Sequence, residues 1–142
     1  MPDDDVTRRV PFLRVLPDAE RTRLLSGAQS KTFEKGGRVW DEGDPTGEFS
    51  FVTAGRVKLV KTTESGRDAI LETVAPSELL CASAVTACAP HCCSGVAMEA
   101  ETAVLSLRRA DVLELVERSP DVARAFVREI CLLYTSDAAD EL

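Results

Sequence analysis

From Thr32 to Leu107 the chain runs in short stretches of alternating side chains, each closed by a turn signal. That rhythm excludes a helical bundle and a doubly wound sheet, because both need long helical periods between the strands. The strand candidates are Thr32–Glu34, Arg38–Asp41, Phe49–Val52, Arg56–Lys61, Ala69–Val74, Val96–Ala100 and Ala103–Leu107. Lys35-Gly36-Gly37, Asp41–Gly47, Ala54-Gly55 and Glu64-Ser65-Gly66-Arg67 supply the breaks. Phe49 and Phe51 point one way and Ser50 and Val52 the other. Val57 and Leu59 point inward, with Arg56 and Lys58 outward. Many short strands with regular turns predict a mainly β fold, a sandwich or rolled barrel.

Helical periods appear only at the two ends. Pro17-Asp18-Ala19-Glu20 reads as a helix start with proline and acids in the first turn. Leu24, Leu25 and Ala28 supply its apolar stripe, and Gly27 sits near its end. After the strands, Arg109–Glu117 carries Val112, Leu113 and Val116 at helical spacing. Ser119-Pro120-Asp121 then marks a second start, with serine as cap and proline at the first helical position. Val122, Phe126 and Ile130 form a seam along that helix, expected to be a two-fold dimer contact.

The chain has 142 residues, which points to one domain. A domain of that size buries enough surface to fold without disulfides. No apolar run reaches the length of a membrane span, and the acidic start MPDDDVTRRV is no secretory signal. A cytoplasmic location follows as the expectation, and thiols there stay reduced. The net charge of −7 argues against this chain alone gripping a nucleic-acid backbone. Residues 131–142, CLLYTSDAADEL, resemble a translated sequencing adapter and are set aside as an artefact; without their three acids the net charge would be −4. Residues 1–10 are then a polar leader, 11–118 the domain and 119–130 the start of a dimerisation helix. The natural chain is expected to continue past Ile130.

Four of the five cysteines, Cys81, Cys88, Cys92 and Cys93, and the single histidine, His91, fall within Ser77–Gly95. Thiolates and an imidazole so close together read as a metal, iron–sulfur or redox site. The opposing reading is that cysteine here is a small apolar filler, and that His91, after Pro90, is a surface loop residue. The cofactor set is Cys81, Cys88, Cys92 and Cys93; as a metal set, His91 joins Cys81, Cys88 and Cys92. The spacing matches no standard zinc or ferredoxin pattern. Trp40 and the phenylalanines read as core, and Asp41–Asp44 as a solvated loop.

The layout resembles the sensor domain of Crp/Fnr-type transcription regulators, the cyclic-nucleotide-binding fold. The resemblance rests on Phe33-Glu34-Lys35-Gly36, Glu42-Gly43-Asp44, Phe51–Leu59 and Gly66–Leu71, and covers roughly residues 11–130. It implies a double-stranded β-helix, or jelly roll, with flanking helices. Laid without a gap onto the family's phosphate-binding segment, Ser77–Val85 puts the cradle glycine at Cys81 and the ribose glutamate at Ala82. The phosphate arginine falls at Cys92 and its Ser/Thr neighbour at Cys93. The charged nucleotide contacts are therefore missing, and cyclic AMP is not expected to bind in the usual mode.

The same match places Cys81 and Cys92 where relatives hold one phosphate, with α carbons expected roughly 4–8 Å apart. Cys88 is expected on the same helix face, and Cys93 pointing away. The implied function is a redox- or metal-responsive pocket. Zinc, an iron–sulfur cluster, haem and a disulfide all remain open as its chemistry. The resemblance also implies a homodimer and a C-terminal helix-turn-helix that reads DNA, with no membrane partner. The alternatives are a small-effector-binding module of the kinase or channel-subunit type, or an interaction module with a dead pocket. No catalytic constellation is visible, so an enzyme finds no support.

Overall fold

Proline opens both N-terminal helices of the computed structural model, which describes residues 9–80 and 89–140, with 132–140 as backbone alone. Pro11 starts α1 (Pro11–Arg14), a single turn that the sequence pattern did not announce. It forms because Phe12 and Leu13 are both buried. Pro17 is the cap of α2 (Asp18–Ser26) rather than its first helical residue. Arg21 ties the two together: its guanidinium donates to the carbonyls of Leu13 at 2.8 Å, Arg14 at 3.1 Å and Leu16 at 2.6 Å. A cation thus satisfies the carbonyls that a helix C-terminus leaves open.

Eight strands follow: β1 (Gln29–Phe33), β2 (Arg38–Trp40), β3 (Glu48–Ala54), β4 (Val57–Thr62), β5 (Asp68–Val74), β6 (Leu79–Leu80), β7 (Ser94–Ala97) and β8 (Thr102–Arg108). They make two four-stranded sheets, ordered β1-β8-β3-β6 and β2-β7-β4-β5, with antiparallel pairing throughout. This is the mainly β fold that the short-strand rhythm predicts, in the jelly-roll form that the resemblance implies. β7 begins two residues earlier than the alternation suggests, because Ser94 and Gly95 pair with Val60 and Leu59. The turn from β3 to β4 passes through Gly55 at φ +71°, where an added Cβ would lie 2.5 Å from Thr102 Oγ1. Only glycine fits there.

Alternation sorts the apolar side chains into two cores. Phe49 and Phe51 of β3, with Leu105 and Leu107 of β8, face the helices and pack with Phe12, Leu24, Val112 and Phe126. Val52 and Val104 face the other way, between the sheets, with Val57, Leu59, Val74, Leu80 and Cys93. The helix-side core is knitted by aromatic contacts. Phe12 stacks on Phe51 at 6.0 Å, and Phe126 meets Phe49 edge-on at 5.2 Å.

After β8 come α3 (Arg109–Arg118) and α4 (Pro120–Asp140). Ser119 caps α4 as its sequence predicts, with Oγ accepting from the Val122 N–H at 3.4 Å. The seam on α4 has a different role from the one expected. Val122 and Phe126 are buried in the chain's own core, and Ile130 packs against it. The sheet's phenylalanines already occupy that face, so these residues cannot be the dimer contact. Val127, on another face, is 58% exposed. No helix among the described residues is long and apolar enough to cross a membrane.

Phe126→Ala is therefore expected to cost about 3–5 kcal/mol in urea unfolding, as truncation of a core aromatic does. Val127→Ala, at an exposed site one residue on, should stay within about 0.5 kcal/mol of the parent. Equal losses would mean that the seam is not packed on this core.

Candidate functional site

Five hydrogen bonds staple two loops together. The first loop follows β2 and turns at Gly43, which has φ +91°. The second is the stretch from Ala89 to Cys93 that leads into β7. Gly43 N–H donates to the His91 carbonyl at 2.8 Å, and His91 N–H donates back to Asp44 at 2.9 Å. Thr46 Oγ1 donates to the Ala89 carbonyl at 2.6 Å, and Glu42 N–H to Ser94 Oγ at 3.0 Å. Trp40 Nε1 donates to the Cys93 carbonyl at 2.7 Å. The acidic turn expected to be merely solvated is thus the frame on which the cysteine loop is built.

Trp40 is the centre of this frame. Its ring lies on Gly95, where an added Cβ would fall 2.7 Å from the indole, so any larger residue would push the ring off the strand. On its other side His91 stacks at 4.4 Å and 19°. His91 Nδ1 is buried and has no hydrogen-bond partner. Burial holds the imidazole below the ordinary histidine range, while the carboxylate of Asp44 pulls the other way.

Both described cysteines of the stretch sit at the end of this loop. Cys92 is exposed, whereas Cys93 is 2% exposed and packs in the core between the sheets. Adjacent thiols point opposite ways, as extended backbone requires, but the sense is the reverse of the expected one. The reason is the Trp40 clamp. Holding the Cys93 carbonyl and laying the indole on Gly95 sets the phase of the chain so that Cys93 enters the core. Cys81 and Cys88 lie outside the described residues, so their distances to Cys92 do too. Among the described residues no group of three or more His, Cys, Asp or Glu side chains could hold a metal ion.

One group here was invisible in the sequence. Lys61, an outward residue of β4, reaches its ammonium to the Cys92 carbonyl at 3.3 Å. It also pairs with Glu42 at 3.1 Å. The hydrogen bond and charge of Glu42 hold the lysine pKa up, and the two thiols add to this. A cation therefore stands near the position expected to have lost one, but Glu42 already balances it. Strict alternation from Val57 and Leu59 would turn Lys61 inward; the register shift between Leu59 and Val60 turns it out, and nothing in sequence pairs it with residues 31 positions away.

β6 approaches the same region from the other direction. Ser77 takes a left-handed conformation, φ 75°, and its N–H donates to the Val52 carbonyl at 2.7 Å. A non-glycine residue there carries backbone strain. Glu78 Oε1 accepts from Ala75 N–H at 3.0 Å. Burial, and then the charge of Glu78, push the carboxyl of Glu129 on α4 above the usual glutamate range. The two residues of β6 face opposite cores: Leu79 joins the helix-side core with Phe126, and Leu80 joins Cys93 between the sheets.

The cyclic nucleotide-binding domain family model matches residues 30–119. The chain is 30% identical over 113 residues to the Cyclic AMP receptor protein of Thermus thermophilus, a match covering 80% of this chain and 52% of that protein. The chain thus spans about half the length of that curated relative. Among solved structures, the N-terminal domain of a transcriptional regulator from Streptomyces coelicolor A3(2) superposes with a TM-score of 0.70 at 30% identity, over 96% of this chain and 95% of that one. The Thermus thermophilus Catabolite Activator Protein gives a TM-score of 0.70 at 26% identity, over 92% and 61%.

His91 supplies a pH test of the stapled loops. Its folded pKa lies below the ordinary value of 6.5, so on acidification the unfolded chain takes up this proton first. Stability is expected to hold above that value and to fall as the pH drops below it. Urea unfolding at about pH 7.5 and about pH 5 reads the loss, and His91→Phe, which keeps a ring on Trp40, should reduce it. An identical loss in parent and variant would show that His91 is not the group responsible.

Proposed function

Because the chain belongs to the cyclic nucleotide-binding domain family, we propose that it serves as the sensor domain of a Crp/Fnr-type transcription regulator in which a cysteine-based redox or metal-responsive pocket replaces the nucleotide phosphate site. One observation carries this reading: Leu80 and Cys93 pack in the same buried core. Cys81 follows Leu80 and Cys92 precedes Cys93 in sequence. Consecutive α carbons are only about 3.8 Å apart, so the backbones of Cys81 and Cys92 each start one step from that core, although Cys92 turns its own side chain to solvent. Cys88 and His91 are the further candidate ligands. Zinc, an iron–sulfur cluster and a disulfide are the chemistries that this set would take.

A signal would leave the pocket through β6. Its Leu80 touches the core that holds Cys93, and its Leu79 touches the core that holds Val122 and Phe126 of α4. Oxidation or metal loading at the cysteines would pull on β6 and shift α4, a small movement between two packed arrangements. In the whole protein α4 would pair with a second copy, using the face that carries Val127, and would lead to a DNA-reading helix-turn-helix. A dead pocket is the second reading. Cys93 itself favours it, since it packs among Val52, Val57 and Leu59 as a plain apolar side chain would.

Two measurements separate the readings. Zinc and iron analysis with thiol titration should show metal or a reversible disulfide in the parent, lost in Cys81→Ser and in Cys92→Ser while the fold persists; blanks in the parent would favour the dead pocket. Calorimetry should find cyclic AMP weaker by roughly 2–5 kcal/mol than a site with the arginine and glutamate contacts. Micromolar binding would overturn the loss of the nucleotide site.

A further inference from the structure

A cavity of about 230 Å³ opens beside β1 and β2, which are edge strands of the two sheets. It borders the site described above through Trp40 and His91, but neither Cys92 nor Cys93 lines it. Phe33, Val39, Trp40, Leu80 and Val104 are the apolar part of its lining. On the sheet that carries β3 and β8, two hydroxyls face each other: Ser50 and Ser106, cross-strand partners, are 2.9 Å apart. Either hydroxyl can donate, so the pair can turn a donor or an acceptor toward a guest.

Charged side chains complete the lining. Lys31 and Glu48 line the cavity with Asp44 and His91. Lys31 Nζ and Glu48 Oε1 are 3.6 Å apart, beyond hydrogen-bond range, and both side chains are partly exposed at 47% and 38%. An exposed pair this loose gains little from its own contact, so a ligand can separate it at low cost.

We propose that this cavity binds a free α-amino acid with an apolar side chain. Its carboxylate would face Lys31, its ammonium would face Glu48 and Asp44, and its side chain would lie against Trp40 and Phe33. A zwitterion fits better than either single charge. An anion alone would meet two carboxylates, and a cation alone would meet the lysine. A nucleotide is too large for a space below the usual range of drug-sized sites, and Lys31 is the single cation among the described residues lining it. Leucine, isoleucine and phenylalanine have the required apolar body. The inference does not depend on the cysteines.

Trp40 is the chain's single tryptophan and lines the cavity, so its emission reports occupancy directly. Titration of the full chain with L-leucine and with L-phenylalanine should give a saturable change in emission for at least one of them. Lys31→Glu, a change at an exposed position, should weaken that binding at least about tenfold. 2-Phenylethylamine and 3-phenylpropionate, each lacking one charged group, should bind more weakly than phenylalanine. The proposal is overturned by no saturable change up to about 10 mM of either amino acid. It is equally overturned by unchanged affinity in Lys31→Glu, or by single-charge analogues that bind as tightly as the amino acid.

Discussion

The antiparallel pairing of β3 with β8 is the constraint from which the rest of the structure follows. Successive side chains of a strand must face opposite ways, so one ladder of hydrogen bonds creates two cores. Phe49, Phe51, Leu105 and Leu107 bind the helices, while Val52 and Val104 close the roll. A slip of one residue would exchange those sets and expose the phenylalanines. Ser50 and Ser106 also belong to the inner set, and their mutual hydrogen bond leaves the roll with room between its sheets rather than a solid interior.

This division was legible in the sequence because it is local. The pointing of Phe49, Phe51, Val57 and Leu59, the turns at Gly36, Gly43 and Gly66, and the Ser119 cap all follow from near neighbours and from backbone preferences. α1 escaped notice because a four-residue helix has too few positions to show a period. The seam on α4 was visible as a seam, but the sequence could not say what covered it. Phe12, from the opposite end of the chain, meets Phe126 at 6.0 Å, and no periodicity carries that information.

The cysteine loop shows the same limit more sharply. Aligning residues position by position fixes which residue stands where a relative has arginine, but not which way it points. That is decided by Trp40, which holds the Cys93 carbonyl and occupies the space over Gly95. Lys61 was likewise hidden, since alternation puts it on the side of Val57 and Leu59 and only the register shift after Leu59 turns it to solvent. Its place beside Cys92 and Glu42 depends on how β4 and β7 lie side by side. Residue types in a row single out a stretch of chain, whereas tertiary contacts decide which way each of its side chains points.

β5 has a consequence for how the molecule behaves in company. It is an edge strand, and six of its seven residues are exposed, with Ile70 and Leu71 open to solvent at 61% and 56%. One side of its backbone has no neighbour in the sheet, so an apolar strand from another chain could add to it. Asp68 and Glu72 bracket the two apolar residues and act as gatekeepers, since a strand aligned there would bring carboxylates together. Two ionised side chains beside Ile70 and Leu71 thus disfavour the pairing of this edge with the same edge of a second copy.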